Sequence, residues 1–240
     1  MKTTTLTRKL PALVLALAVG HVTMASAATA QGGLLGTGLL APPRPPPAAV
    51  TAAATVPPAP PTMLEVEQKL DSLRYDVGAI DGRTDDQTIS AITAFQKVHG
   101  LERTGGLTDA LTAQIMGTQG TPPPMVADGD ASRVEVSLAR QVLFLYEGGS
   151  LYKILAVSTG TSATPTPTGR FRMYRSDLGW HTSRLGRLYN AQYFVGGYAV
   201  HGSLSIPNRP ASHGCIRISM HSAEWFPSHV SRGTQVVIVD

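Results

Sequence analysis

The only cysteine of the chain, Cys215, directly follows a histidine–glycine pair, His213 and Gly214. A second such pair, His201 and Gly202, lies upstream at the end of a predicted strand. A thiol attacks as its thiolate, and an ordinary pKa of about 8.5 keeps it mostly protonated near neutral pH, so a neighbouring imidazole must take the proton. These residue types indicate nucleophilic catalysis by Cys215 with a histidine as the base.

Position along the chain distinguishes the two histidines. His213 belongs to the same short piece of backbone as Cys215, whereas His201 can approach the sulfur independently from another strand. Gly202 leaves room for a main-chain carbonyl to accept the other ring N–H, which would hold the imidazole in one tautomer. We therefore predict that His201 is the base.

The backbone around Cys215 predicts a site for a developing oxyanion. Gly214 has no side chain, so the amides of Gly214 and Cys215 could donate to a substrate oxygen at close range, and His213 is expected to shape that site. If this segment is extended, residues 213, 215 and 217 share one face. The Arg217 guanidinium would then lie beside the thiol, where it suits a substrate carboxylate.

Three other uses of these residues are less favoured. Papain-like peptidases place the cysteine before the histidine, whereas here His201 precedes Cys215. A zinc site made of His201, His213 and Cys215 is chemically possible, but its spacing matches no standard metal signature. The remaining alternative is a buried, inert cysteine, and the neighbouring histidines and glycines favour catalysis instead.

The chain from residue 131 to residue 240 predicts a mainly β domain. Its β-prone runs are residues 133–137, 141–146, 151–158, 171–174, 198–200 and 236–239, with a glycine hairpin signal at 148–149. A helix is expected over 221–230, kinked or shortened by Pro227. The other histidines and aromatic residues of this region are interpreted as surface, capping or packing residues: His181, His221, His229, Trp180, Tyr189, Tyr193 and Phe194.

Residues 62–117 have helical periodicity instead. Apolar residues recur at spacings of three and four in three runs: Val66, Leu70 and Leu73, then Ile89, Ile92 and Phe95, then Leu107, Leu111 and Ile115. Thr84 or Asp85 is a suitable cap for the second helix. The stretches "LDSLRYDVGAIDG" and "TISAITAFQKVHGL" resemble the peptidoglycan-binding type 1 domain, a three-helix module, which implies binding of glycan or another wall polymer through residues 62–117.

The remaining segments predict export and flexible connection. Residues 1–27 have a basic start, an apolar run and an Ala-Ser-Ala cleavage signature, typical of a signal peptide removed near Ala27. Residues 28–61 are dominated by proline and alanine and predict a disordered tether, while 118–130 predict a linker. We expect a protein of the cell wall, periplasm or extracellular space.

The charge is divided between the two predicted domains. The formal net charge is +4, and removal of three basic residues with the signal peptide lowers it to +1. Residues 62–120 carry 5 basic and 9 acidic side chains, whereas residues 130–240 carry 11 basic and 6 acidic ones. In an exported protein, the cationic domain favours anionic wall peptides rather than nucleic acid as its partner.

The second domain resembles the L,D-transpeptidase catalytic domain, also called the YkuD domain. The resemblance lies in His201-Gly202, in the run from Ser212 to Arg217, "SHGCIR", and in "VSTGTSATPTPTGRFRM" upstream. It implies that Cys215 is the nucleophile, His201 the proton acceptor and donor, and the Gly202 carbonyl its orienting partner. Residues Ser212, His213, Gly214 and Arg217 are expected to line the site.

The resemblance also implies a fold and a reaction. The fold class is α+β multidomain: a small three-helix wall-binding domain followed by a mainly β YkuD-like catalytic domain. The reaction joins two peptidoglycan stem peptides in a 3-to-3 cross-link through a cysteine thioester, without metal or organic cofactor, and carbapenems are expected inhibitors. An L,D-carboxypeptidase and a non-catalytic peptidoglycan-binding protein remain the alternatives.

Overall fold

A computed structural model describes residues 59–240. The predicted signal peptide and nearly all of the predicted tether lie outside the described residues. The first part of the described chain contains three helices, α1 (Met63–Ser72), α2 (Asp86–Val98) and α3 (Asp109–Gly117), called the helical module below. The second part contains nine strands and a fourth helix, which confirms the predicted fold class.

Each helix of the module begins at a side chain that caps its free amides. Thr62 and Glu65 form a reciprocal capping box at α1. The Asp85 carboxylate accepts from two backbone amides at the start of α2, which confirms one of the two predicted caps. Thr108 caps α3 in the same way. Local sequence therefore determines where the three helices begin.

The strands form two sheets. The first has the order β3-β2-β1-β9-β4, from β1 (Arg133–Ser137), β2 (Val142–Glu147), β3 (Ser150–Ala156), β4 (Gly169–Arg172) and β9 (Gln235–Val239). The second has the order β5-β6-β7-β8, from β5 (Arg175–Ser183), β6 (Gly186–Val195), β7 (Tyr198–Gly202) and β8 (Ile216–Ile218). Helix α4 (Met220–His229) packs against β6 and β7. The pairs β1–β9 and β7–β8 are parallel.

Strand β2 is buried on both of its faces. Val142, Phe144 and Tyr146 pack with the helical module. Leu143 and Leu145 point to the opposite face and join a core shared with the second sheet and α4. Because side chains alternate along a strand, β2 lies at the centre of a layered structure and separates two hydrophobic cores.

Polar contacts, two of them buried, attach the helical module to the catalytic domain. The Lys97 ammonium of α2 donates to the Val157 carbonyl at 2.8 Å. The buried Asp76 carboxylate accepts from the Ser222 hydroxyl of α4 at 2.6 Å. Arg103 donates to the Asn208 carbonyl at 3.1 Å, in the loop that follows β7. The module therefore shares a core with the catalytic domain and also bonds to it.

The long hairpin β5–β6 and the continuity of α4 were not expected from the sequence. Helix α4 passes through Pro227 and ends at His229. Proline lacks the N–H that would bond to the carbonyl four residues earlier, here that of Ala223. The Asn190 amide of β6 donates to this carbonyl at 2.9 Å. A tertiary contact thus satisfies the group that proline leaves free.

Within residues 59–240, no helix is both long and apolar enough to cross a membrane.

Burial of Lys97 predicts a pH-dependent stability. Burial, and next the charge of Arg103, lowers the pKa of Lys97 to about 7, against about 10.4 in an unfolded chain. Between these values the unfolded chain binds more protons, so folding stability should rise with pH, by up to about 1.4 kcal/mol per unit. Below pH 7 both states are protonated and the cost of the buried charge is fully present.

The check compares the free energy of unfolding of the natural chain and of Lys97→Met from pH 7 to pH 10. The other titrating groups are common to both proteins, so the difference between the two curves isolates Lys97. As pH rises, the free energy of unfolding of the natural chain should increase relative to that of Lys97→Met. A difference that stays constant with pH would contradict the lowered pKa of Lys97.

Candidate active site

The parallel pairing of β7 with β8 brings together two predicted site residues. His201 lies opposite Arg217 in this register, so their side chains share one face of the second sheet. On the other face, Val200, Ile216 and Ile218 are buried in the core between the sheets. The apolar residues therefore anchor the strands and turn His201 and Arg217 away from that core.

Cys215 stands immediately before β8 and is half-buried on the same side as His201. It packs against a small apolar cluster that includes Tyr193 and Ala199. Its sulfur opens into a cavity of about 370 Å³, called the catalytic cavity below. Five of the predicted site residues line this cavity: His201, Ser212, His213, Cys215 and Arg217.

The tautomer of His201 follows from one contact. Its Nδ1 atom lies 2.9 Å from the Gly202 carbonyl oxygen. A carbonyl only accepts, so Nδ1 carries the hydrogen and Nε2 is the nitrogen that can take a proton. Burial, and then the positive charge of Arg217, lowers the pKa of His201 although the Gly202 bond opposes this. The imidazole is therefore a neutral base.

The thiol of Cys215 is held in its protonated form. Burial raises its pKa, while a bond from the Ala199 backbone and the charge of Arg217 act in the opposite direction. The resting pair is accordingly a neutral thiol and a neutral imidazole, whereas the sequence argument assumed a thiolate. The thiol must therefore lose its proton before or during any attack on a substrate.

The loop before Cys215 is shaped by Ser212. The Ser212 hydroxyl donates to the Cys215 carbonyl at 2.5 Å and accepts from the Gly214 amide at 3.0 Å. The Gly214 amide, which the sequence analysis assigned to the oxyanion site, would have to leave Ser212 in order to bind a substrate oxygen. The oxyanion role of the Cys215 amide stays a prediction.

A second segment, residues 157–166, forms hydrogen bonds to this loop and to the start of β8. The Ser158 and Arg217 backbones exchange two hydrogen bonds, at 3.0 and 3.2 Å. The buried Thr166 hydroxyl donates to the Gly214 carbonyl at 2.8 Å and accepts from the Gly160 amide at 2.9 Å. This proline-containing segment therefore supports the cysteine loop.

The hairpin β5–β6 supplies the part of the site that the sequence analysis missed. Its turn, residues 183–187, lines the catalytic cavity together with Leu188 and Tyr193. Arg184 and Arg187 join Arg217 there, and among residues 59–240 the lining includes no aspartate or glutamate. The site is therefore cationic. A glycine between the two arginines, Gly186, was the available sign of a turn.

The three histidines that the sequence indicated to be surface or capping residues lie outside the catalytic cavity. His229 contacts Glu147 at 2.7 Å and stacks on Tyr152. His221 lies 3.8 Å from the Asp76 carboxylate, and His181 is exposed on β5. Among the described residues, no group of three or more histidine, cysteine or acidic side chains is placed to hold a metal ion.

A histidine and a half-buried thiol that line one cavity are the residue types that enzymes with a cysteine nucleophile use. Comparison with known proteins specifies the class. The family model of the L,D-transpeptidase catalytic domain, YkuD, matches residues 131–238, and that of a putative peptidoglycan binding domain matches residues 60–116. The chain is 34% identical to a crystallised L,D-transpeptidase fragment from Xylanimonas cellulosilytica.

The match to that fragment covers 76% of this chain and 100% of the fragment, with a TM-score of 0.67. L,D-transpeptidase 2 of Mycobacterium tuberculosis is 33% identical over 101 residues, which are 40% of this chain and 22% of that protein. The chain thus spans about a fifth of this curated relative. The protein belongs to the L,D-transpeptidase family and carries an N-terminal peptidoglycan-binding type 1 domain, as its sequence motifs predicted.

The charge of Arg217 should act on both members of the pair. It lowers the pKa of Cys215 and also that of His201. In Arg217→Gln the pKa of the thiol should therefore rise further, and that of His201 should rise toward its ordinary value of about 6.5. Arg217→Lys keeps the charge and should shift both values less.

Iodoacetamide alkylation against pH reports the thiol, because Cys215 is the only cysteine. Proton NMR of the His201 ring reports the imidazole. Arg232→Gln, which removes an exposed arginine outside the cavity lining, is the matched control. Shifts of the two pKa values in opposite directions would exclude a common electrostatic cause.

Proposed function

We propose that this protein is an L,D-transpeptidase that forms 3-to-3 cross-links between peptidoglycan stems through a thioester on Cys215. The proposal rests on one observation: the half-buried, uncharged thiol of Cys215 and the uncharged imidazole of His201 line the same cavity. The Nδ1 atom of His201 is bound to the Gly202 carbonyl. Membership of the family supports the same reaction class.

The first step acylates the cysteine. The Sγ atom of Cys215 attacks the carbonyl carbon of the third, diamino-acid residue of a tetrapeptide stem, and its proton passes to Nε2 of His201. A C–S bond forms and the bond to the terminal D-Ala nitrogen breaks. His201 then delivers the proton to that nitrogen, so D-Ala leaves as an amine.

The second step transfers the acyl group. The side-chain amine of a neighbouring stem, in its neutral form, attacks the thioester carbonyl. A C–N bond forms, the C–S bond breaks, and the amine proton passes through His201 to the sulfur. The thiol and imidazole return to their neutral resting forms, so neither a cofactor nor an external base is consumed.

The cationic lining suits an anionic peptide. Arg184, Arg187 and Arg217 line the catalytic cavity, and stem peptides carry free carboxylates. We propose that these guanidiniums orient the donor stem. Location outside the membrane, after removal of the signal peptide near Ala27, and wall binding by residues 62–117 complete the proposal, since cross-links between stem peptides are made in the wall.

Purified muropeptides test the reaction. Incubation of the natural chain with tetrapeptide monomers should produce 3-to-3 dimers with release of D-Ala, identified by mass spectrometry. Cys215→Ala should lose dimer formation and keep its fold. The Ser212 hydroxyl bonds to the Cys215 main-chain carbonyl and to the Gly214 amide, and the substitution removes neither group. Trimmed monomers without dimers would indicate a carboxypeptidase, and unchanged stems a non-catalytic wall-binding protein.

A carbapenem should acylate the same sulfur. We expect a covalent adduct on Cys215, because the family resemblance implies attack on strained lactam carbonyls, and slow or no reaction with most penicillins. Intact-protein mass spectrometry followed by peptide mapping gives the site, with Cys215→Ala as the control. An adduct on another residue would contradict the assignment of the nucleophile.

A further inference from the structure

A second and larger cavity lies beside the catalytic one. Its volume is about 920 Å³, compared with about 370 Å³ for the catalytic cavity. Ligand cavities range from about 300 to about 1,000 Å³, so the two lie near opposite ends of that range. Its walls come from α2, from residues 203–207 and from the start of α4. We call it the module cavity.

The two cavities meet at one residue. Ser203 lines both, and it directly follows His201 and Gly202 in the chain. Residues 203–207 therefore have the catalytic cavity at their beginning and the module cavity along their length. A ligand that passes over Ser203 would occupy both cavities at once.

The charges of the two cavities are opposite. Arg184, Arg187 and Arg217 line the catalytic cavity, whereas Asp85 and Asp86 line the module cavity. The bond from the Thr88 backbone amide lowers the pKa of Asp85, so this carboxylate is ionised at neutral pH. An anionic peptide is accordingly attracted to the first cavity and repelled from the second.

The basic side chains of the module cavity, Lys97 and His221, do not reverse this preference. The Lys97 ammonium is buried and donates to the Val157 carbonyl, so it is committed to the protein. Burial also lowers its pKa to about 7. His221 lies next to the Asp76 carboxylate. The groups that remain at the surface of the cavity include the Asp86 carboxylate and several hydroxyls, all of which can accept hydrogen bonds.

The lining suits a neutral sugar polymer. Asp86 offers a carboxylate, and Ser90 and Thr93 offer hydroxyls, that can accept hydrogen bonds from sugar hydroxyl and amide groups. Two apolar side chains of the same cavity are exposed, Ile89 at 40% and Leu204 at 81%. Such side chains can cover the C–H faces of sugar rings while the polar groups bind their edges.

Stem length agrees with this division. The bond attacked by Cys215 follows the third residue of the stem, and three extended residues span at most about 10 Å. Neighbouring cavities that share Ser203 fit such a connection. A stem in the catalytic cavity would therefore leave its glycan strand beside the helical module.

We propose that the module cavity binds the glycan strand of peptidoglycan while the attached stem peptide enters the catalytic cavity. The inference rests on the proposed function, and it assigns polymer binding to a surface built jointly by the helical module and residues 203–207. The module then takes part in substrate binding at the active site, in addition to attaching the protein to the wall.

The test uses full-length Cys215→Ala chains and insoluble chitin, a neutral polymer of N-acetylglucosamine that resembles the glycan strand without its stem peptides. Ser90→Trp should fill the module cavity, and Asp86→Ala should remove an acceptor from it. Asp109→Ala is the matched control, because Asp109 is an exposed aspartate in the first turn of α3 outside the cavity. Ser90→Trp should weaken glycan binding at least tenfold, Asp86→Ala severalfold, and Asp109→Ala not measurably.

The same substitutions in the active chain give a second measurement. The ratio of kcat/KM on polymeric peptidoglycan to that on free tetrapeptide stems should fall about tenfold in Ser90→Trp and stay constant in Asp109→Ala. Unaltered glycan binding by a folded Ser90→Trp chain, or an equal loss of kcat/KM on both substrates, would overturn the proposal. Failure of the natural chain to cross-link would instead contradict the proposed function, because glycan binding is measured without the thiol.

Discussion

The active site depends on the parallel pairing of β7 with β8. This pairing sets His201 opposite Arg217 and places Cys215 at the entrance to β8. It is stabilised from the other face, where Val200 and Ile216 are fully buried between the two sheets. A shift of one residue would turn the reactive side chains into the core, so hydrophobic burial fixes the catalytic register.

Close backbone packing makes the cysteine loop rigid. A Cβ atom built on Gly160 would lie 2.2 Å from the Thr164 carbonyl oxygen and 2.8 Å from the Cα atom of Gly214. Only glycine permits this approach. The hydroxyls of Ser212 and Thr166 add hydrogen bonds to the same loop, so that several contacts constrain the position of Cys215. Such preorganisation lowers the cost of positioning a nucleophile.

The helical module is a structural part of the catalytic domain. It covers the outer face of β2, and the Lys97 bond reaches the segment that supports the cysteine loop. Arg103 and Asn208 bond to each other's carbonyls, which connects the module to the loop that follows His201. The module therefore contacts two segments next to the active site, one through a buried bond and the other through exposed bonds, and a proposed glycan site at this boundary is consistent with that architecture.

The sequence by itself determined the features that are encoded locally: the three helices with caps such as Asp85, the β-rich second domain, and the motif residues His201 and Cys215. Each depends on neighbours a few positions away, so spacing and residue type were sufficient. Only the tertiary structure decided that the hairpin β5–β6 lines the catalytic cavity, that the Gly214 amide bonds to Ser212, and that the module shares a core with β2. These features join segments that are distant in the chain, and their polar residues gain a role only when folding brings partners within hydrogen-bonding distance. The protonation state of the thiol was decided in the same way, because burial is a property of the assembled fold.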